Sequence, residues 1–350
     1  MKTAVIISNL GTPESYEVKD VKTYLDEFLM DPYVIDMPYI FRALFVKGFI
    51  LQTRPKKSAA VYKSIWTKEG SPLLVITQKL INKVKALLPT ENYDVYLAMR
   101  YGEPSFQKAL NEIKEKDYQK VLVLPLYPQY AYASVESTRA YFKKITKEIK
   151  LPPTYFLDAF YDDEDFADCI VAQNNKPSLS DFKDQFDHFL FSYHGVPEKQ
   201  IRRTDPSKKY CLKSNDCCKT ICEANKNCYK MQCIHNAQLL ARKMNLNESE
   251  YSYSFQSRLG PIEWIKPYTD KTLEALAKKG IKRLAVYCPA FSADCLETLE
   301  EIAIEGAHEF KSFGGESLTM IPAVNDSDPW AKLLARWISN EEKMLPLEMI

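Results

Sequence analysis

Strand-like and helix-like stretches alternate along nearly the whole chain. Apolar runs at 3–9, 93–99, 120–126, 187–193, 251–257 and 282–288 read as buried strands. Helix-like segments fall at 16–29, 72–88, 104–116, 135–149, 229–244, 269–279 and 294–311. A parallel sheet covered by helices requires this alternation, so the pattern predicts an α/β fold.

The two halves of the pattern echo each other. Val5-Ile6-Ile7-Ser8-Asn9-Leu10-Gly11-Thr12-Pro13 parallels Phe189-Leu190-Phe191-Ser192-Tyr193-His194-Gly195-Val196-Pro197. Arg100-Tyr101-Gly102 parallels Arg258-Leu259-Gly260, and the strand from Lys120 to Pro125 parallels that from Lys282 to Pro289. Three matches in one order predict a duplicated α/β unit, each copy a parallel sheet covered by helices. The expected divisions are 1–155 and 156–325, with a C-terminal helix and tail at 326–350. Two such units facing each other would line a cleft with strand ends, the usual place for a ligand.

The halves differ in two insertions. From Gly11 to Arg100 is 89 positions but from Gly195 to Arg258 only 63, so the first half carries about 26 additional residues. They are expected within about 37–70, where Tyr39-Ile40-Phe41-Arg42-Ala43-Leu44-Phe45-Val46-Lys47-Gly48-Phe49-Ile50-Leu51 is strongly apolar with two cations. This stretch is either a core helix, the commoner fate, or a greasy lip that dips into a membrane surface. The second insertion, about 210–229, is rich in cysteine.

Bulk composition narrows the class. A 350-residue chain that is 46% hydrophobic and 27% charged is an ordinary folded protein of one large or two medium domains. Its net charge of +1 gives no reason to expect nucleic acid. No apolar run approaches the roughly 20 residues of a membrane span, and no signal-peptide pattern is present, so a cytoplasmic protein is expected.

Among four histidines, His194 ends an apolar strand and is followed by a glycine and a proline. A rigid element would thus present an imidazole, the side chain that titrates near neutrality, at a ligand crevice. Glu297, Glu301 and Glu305 fall at i, i+4 and i+8 of the expected helix 294–311 and would share one face. Such repulsion costs roughly 0.2–0.5 kcal/mol per pair, which a solvated face tolerates. A row of acids leading to a strand's carboxyl end also suits a path for a divalent cation or for protons. Pro261 and Pro267 stiffen a loop that could hold Trp264 against a flat aromatic ligand. Arg54, Lys56 and Lys57, followed by Tyr62 and Ser71, form a basic stretch that is a solvated surface or a seat for ligand carboxylates.

Five of the nine cysteines lie between Cys211 and Cys228. In a reducing compartment such clustering points to metal before disulfides. Four thiolates can hold a [2Fe–2S] cluster or a tetrahedral zinc, and spacing unlike paired C-x-x-C favours iron–sulfur. Cys217 and Cys218 are adjacent, so one of them is the expected ligand.

These motifs, in this order, resemble the ferrochelatase family, from Asn9-Leu10-Gly11-Thr12-Pro13 to about Pro329-Trp330. The most specific pieces are Ser192-Tyr193-His194-Gly195-Val196-Pro197, the loop from Gln256-Ser257-Arg258 to Trp264, and the stretch from Asp294 to Glu305. The resemblance implies a lyase of haem biosynthesis that inserts Fe2+ into protoporphyrin IX and releases two protons. It implies two similar Rossmann-like (chelatase-type) domains, each a parallel sheet flanked by helices, around a porphyrin cleft, with a lip that can touch the inner membrane surface. His194 would accept pyrrole protons, Glu297 would face it, and Glu301 and Glu305 would extend the acidic path. Arg54, Lys57, Tyr62 and Ser71 match positions holding the propionates. Leu10, Arg100, Tyr101, Trp264 and Phe291 match positions lining the macrocycle pocket. Cys295 stands where animal members carry a histidine, and that role is not transferred. A subset of the family has an internal [2Fe–2S] cluster. Because Gln232-Cys233 resembles a pair found in cluster-free members, the ligands implied are Cys211, Cys217 or Cys218, Cys222 and Cys228. The rivals are a coproporphyrin iron chelatase, a cobalt chelatase, and a non-catalytic haem or iron–sulfur sensor.

Overall fold

A computed structural model describes residues 2–174 and 178–350. Its strands are β1 (Lys2–Gly11), β2 (Tyr93–Tyr101), β3 (Tyr118–Pro125), β4 (Thr154–Leu157), β5 (His188–His194), β6 (Tyr251–Gln256), β7 (Arg283–Tyr287), β8 (Ser317–Ile321) and β9 (Met344–Pro346). The chain divides into two compact units. One comprises Met1–Tyr127, Tyr132–Ala159 and Asn325–Ile350; the other comprises Pro128–Ala131 and Phe160–Val324.

In the first unit the sheet order is β2-β1-β3-β4-β9, parallel except where β9 runs against β4. Ala4 through Ile7 are wholly buried, as expected of a central parallel strand covered on both faces. The helix Phe106–Ile113 closes one face, placing Phe106 and Leu110 against Ile6 and Val121. The terminal segment is part of this unit and not a separate tail. Its helix Asp328–Asn340 buries Trp330 and Trp337, and Lys83 reaches Asp328 at 2.8 Å.

In the second unit the order is β6-β5-β7-β8, all parallel. Leu190 pairs with Ser252 on one side and Val286 on the other. Each unit therefore has its first strand between its second and third, with the fourth beyond, which is the repeat that the sequence echoes predict. The two strands opening the units both end in glycine turns that admit a neighbouring backbone. A Cβ on Gly11 would lie 1.8 Å from the Tyr101 carbonyl oxygen, and one on Gly195 would lie 2.7 Å from that of Gln256.

Two expectations need correction. The stretch 294–311 is not one helix. It is a short α-turn, Leu296–Leu299, a π-helical segment, Glu301–Gly306, and a second α-helix, Ala307–Ser312. Four-residue spacing cannot reveal this widening, because hydrophobic periodicity tests only the regular repeat. Strands β4, β8 and β9 were also missed: they have only three to five residues and lie at or beside sheet edges.

Candidate active site

In the second unit, β5 delivers His194 to the carboxyl end of the sheet. Gly195 follows and donates its N–H to the Gln256 carbonyl at 2.7 Å, locking the ends of β5 and β6 together. The His194 ring is half-buried; its Nδ1 lies 2.6 Å from the Gly195 carbonyl oxygen, and Phe291 packs edge-on at 6.4 Å between ring centroids. Tyr229 donates its hydroxyl to the His194 carbonyl at 2.8 Å. The Gly195 carbonyl and the Phe291 ring thus hold the imidazole, while Tyr229 anchors the His194 main chain.

The acids lie on the segment after β7. Glu301 accepts from the Ser257 amide at 2.7 Å, the Ser257 hydroxyl at 2.5 Å and Gln256 Nε2 at 3.2 Å. Gln256 Nε2 also donates to the Glu297 carbonyl at 2.8 Å. Burial pushes the Glu301 carboxyl above the usual carboxylate range; the bonds from Ser257 and Gln256 and the nearby His194 pull it back, while Glu297 adds repulsion. His194, Glu297 and Glu301 therefore share one electrostatic neighbourhood. Glu305 is exposed, and its charge joins burial in raising Glu300 and Glu309. Sequence spacing singled out every fourth acid and missed Glu300 and Glu309, which the π-helical turn brings into the group. Trp264 is half-buried and hydrogen-bonds the Leu259 carbonyl at 2.9 Å, and the Pro197–Trp264 bridge ties its loop to the residues after His194.

The residues expected from the first unit divide into two sets. Leu10 is half-buried at the end of β1, and Ser71 is buried with its hydroxyl 2.8 Å from Thr12 Oγ1. Arg54 and Lys57 lie one turn apart on the helix Leu51–Ile65 and are exposed, free to swing toward anionic groups. Tyr62 is buried, edge-on to Tyr24 and Trp66. Tyr101 is wholly buried and shares Asp31 with Arg100 and Ser137. Arg100 also lies over the Tyr101 and Tyr141 rings. These two residues are held as a buried network, not displayed as a wall.

The apolar insertion is exposed. It folds as the helix Tyr39–Phe45, the π-helical segment Val46–Ile50 and the helix Leu51–Ile65. Ile40, Phe41, Leu44 and Phe49 are 61–69% accessible. Arg42 is buried instead and clamps the Met37 carbonyl at 2.5 Å. No helix among the described residues is long and apolar enough to cross a membrane.

The cysteine loop is built around two buried polar side chains. Asp205 accepts from the amides of Tyr210 at 2.8 Å and Cys211 at 2.9 Å. Asn225 donates to the carbonyls of Cys217 and Thr220 and accepts from the Cys222 amide. Cys211 Sγ lies 3.6 Å from the Ala224 carbonyl oxygen. Cys228 heads the helix Tyr229–Lys243, and the neighbouring thiols of Cys211 and Cys218, with the amides of that helix, hold its own thiol below the usual value. The sulfurs of Cys217 and Cys218 are 3.8 Å apart. Among the described residues no group of three or more His, Cys, Asp or Glu is already arranged as a metal site.

The chain matches the ferrochelatase family model over residues 2–342. A protein named ferrochelatase from Pseudomonas savastanoi pv. phaseolicola is 44% identical over 344 residues, covering 98% of this chain and 99% of that one. Another of that name from Azotobacter vinelandii is 45% identical, covering 95% and 97%. Among solved structures, SirB from Bacillus subtilis with Fe3+ superposes with a TM-score of 0.55 at 9% identity, covering 97% of this chain and 95% of that one. A SirB sirohydrochlorin chelatase from Bacillus subtilis subspecies spizizenii, in complex with cobalt, gives 0.52 at 9% identity, covering 98% and 97%. At that identity the likeness establishes the fold alone, whereas the sequence match settles the family: this chain belongs to the ferrochelatases, metal-chelating enzymes of the lyase class.

Proposed function

We propose that this chain inserts ferrous iron into protoporphyrin IX with His194 as the proton acceptor. The observation carrying this reading is the His194 ring itself: its Nδ1 is engaged by a carbonyl and it shares a neighbourhood with Glu297 and Glu301. The free porphyrin carries two pyrrole N–H protons. Iron takes the four nitrogens as those protons leave, so the products are haem and two protons. His194 Nε2 accepts a proton, and Glu297, Glu301 and Glu305 pass protons or the hydrated cation along the segment after β7. Arg54 and Lys57 pair with propionates, with Tyr62 and Ser71 beside them. In the second unit Trp264 and Phe291 are wall residues against which binding energy puckers the ring and exposes its lone pairs, and Leu10 is the first unit's contact to the macrocycle. Arg100 and Tyr101 support the first unit's binding residues from the network around Asp31.

The cysteine loop suits a [2Fe–2S] cluster, because Cys211, Cys217, Cys218 and Cys228 are buried in one short loop and the Cys217 and Cys218 sulfurs lie 3.8 Å apart. Cys211, Cys217 or Cys218, Cys222 and Cys228 would hold it, with zinc as the alternative occupant. A bound cluster supplies a covalent staple and one-electron redox chemistry. The exposed lip seats the protein peripherally on the inner membrane surface from the cytoplasm; leaving four large apolar side chains in water forgoes roughly 1.5–3 kcal/mol each. Substrate preference tests the reading: ferrous iron insertion into protoporphyrin should exceed insertion into coproporphyrin. Preference for coproporphyrin, or stable haem binding without turnover, would overturn it.

A further inference from the structure

Ser257 grips Glu301 twice. Its amide donates to Oε1 at 2.7 Å and its hydroxyl to Oε2 at 2.5 Å, so one residue engages both carboxylate oxygens. The terminal torsion of a glutamate is intrinsically broad, and two donors aimed at two oxygens select one setting of it. Gln256 Nε2 adds a third donor at 3.2 Å. Three of about four lone-pair positions are then used, which leaves the carboxylate able to take one further partner.

The backbone of Ser257 has φ +66°, in the left-handed region. Serine is an uncommon occupant there; glycine adopts this conformation at no steric cost. Strain of that kind persists where the surroundings impose it and tends to mark functional positions. The retained hydroxyl is the group that glycine would lack, and its partner is Glu301.

The grip is also referenced to the histidine strand. Gln256 Oε1 accepts from Ser192 Oγ at 2.8 Å, two residues before His194 on β5, and Ser192 is in turn 3.1 Å from Thr269 Oγ1. His194 and Glu301 are thus set against one hydrogen-bonded frame.

We propose that Ser257 is a positioning residue for metal insertion, fixing the Glu301 carboxylate so that it presents one oxygen to the cation or proton moving along the acids. The proposal rests on the reading that Glu301 serves that path.

Four variants test it, with zinc insertion into protoporphyrin as the assay and thermal midpoints measured alongside. Ser257→Ala and Ser257→Gly both remove the hydroxyl, but glycine relieves the backbone strain, so the glycine variant is the more stable. Ser257→Thr keeps the hydroxyl while its branched Cβ makes it the least stable. Activity should follow the hydroxyl. Both Ala and Gly variants lose about tenfold in kcat/KM for zinc, the size expected for one bond to a charged group, with KM for protoporphyrin within twofold. The Thr variant stays within threefold of the parent. Activity that instead ranks with thermal stability, placing Ser257→Gly nearest the parent, overturns the positioning role. Glu301→Gln separates the two readings: parent-like turnover in that variant removes Glu301 from the path itself, whatever Ser257 does.

Discussion

The Nδ1 of His194 and the carbonyl oxygen of Gly195 are 2.6 Å apart. A carbonyl can only accept, so this contact places hydrogen on Nδ1 and leaves the Nε2 lone pair as the basic position of the neutral ring. A main-chain bond to the very next residue thus sets the tautomer that proton abstraction requires.

Gly195 should be intolerant of a side chain. A Cβ there would stand 2.7 Å from the Gln256 carbonyl, the acceptor of the Gly195 amide, and 3.4 Å from Trp264. Gly195→Ala is expected to destabilise the protein by about 1–3 kcal/mol through overpacking, and to lower kcat by more than tenfold by shifting His194. Chemical denaturation and steady-state assays check both numbers.

The lip should bind membrane without supporting the fold. Phe41 and Leu44 are 61% and 67% exposed. The double variant Phe41→Asp, Leu44→Asp should change stability by less than about 0.5 kcal/mol per site. Co-sedimentation with vesicles containing anionic lipid should be lost. Binding that survives in this variant would remove the lip from membrane contact.

Aerobically purified protein should absorb in the visible if the loop holds iron–sulfur, and should not if it holds zinc. Cys228→Ser should remove the bands, as should one of Cys217→Ser and Cys218→Ser but not the other. Cys233→Ser should leave them, because Cys233 is wholly buried within the following helix. Equal persistence of the bands in all these variants would rule out the loop as their source.

His188 predicts one component of acid lability. Burial, then the charge of Lys279, pushes its imidazole below the usual histidine value. The unfolded chain therefore takes up this proton at higher pH than the folded one, so stability falls as pH drops below about 6.5. His188→Gln should flatten that limb: melting points between pH 7.5 and 5.5 should converge more in the variant than in the parent. An unchanged slope would contradict the assignment.

Much of this was legible in the residues. Long apolar runs gave the central strands β1, β3 and β5, since a strand buried on both faces must be apolar throughout. His194 was recognisable because a strand ends abruptly in a titratable group followed by glycine and proline. What escaped detection depends on contacts distant in sequence or on departures from regular periods. The grip of Ser257 on Glu301 spans 44 positions, and the burial of Tyr101 depends on Asp31, 70 positions away. The π-helical turn that gathers Glu300 and Glu309 breaks the spacing by which Glu297, Glu301 and Glu305 were recognised. The lip could not be told from a core helix by composition, because only the fold decides which apolar faces find partners.

His194→Ala offers the most direct test, in an assay of ferrous iron insertion into protoporphyrin alongside porphyrin binding by fluorescence quenching. The account predicts a kcat lower by at least a hundredfold, the scale of a lost general base, with porphyrin affinity and melting temperature nearly unchanged. Turnover within a few-fold of the parent would contradict it.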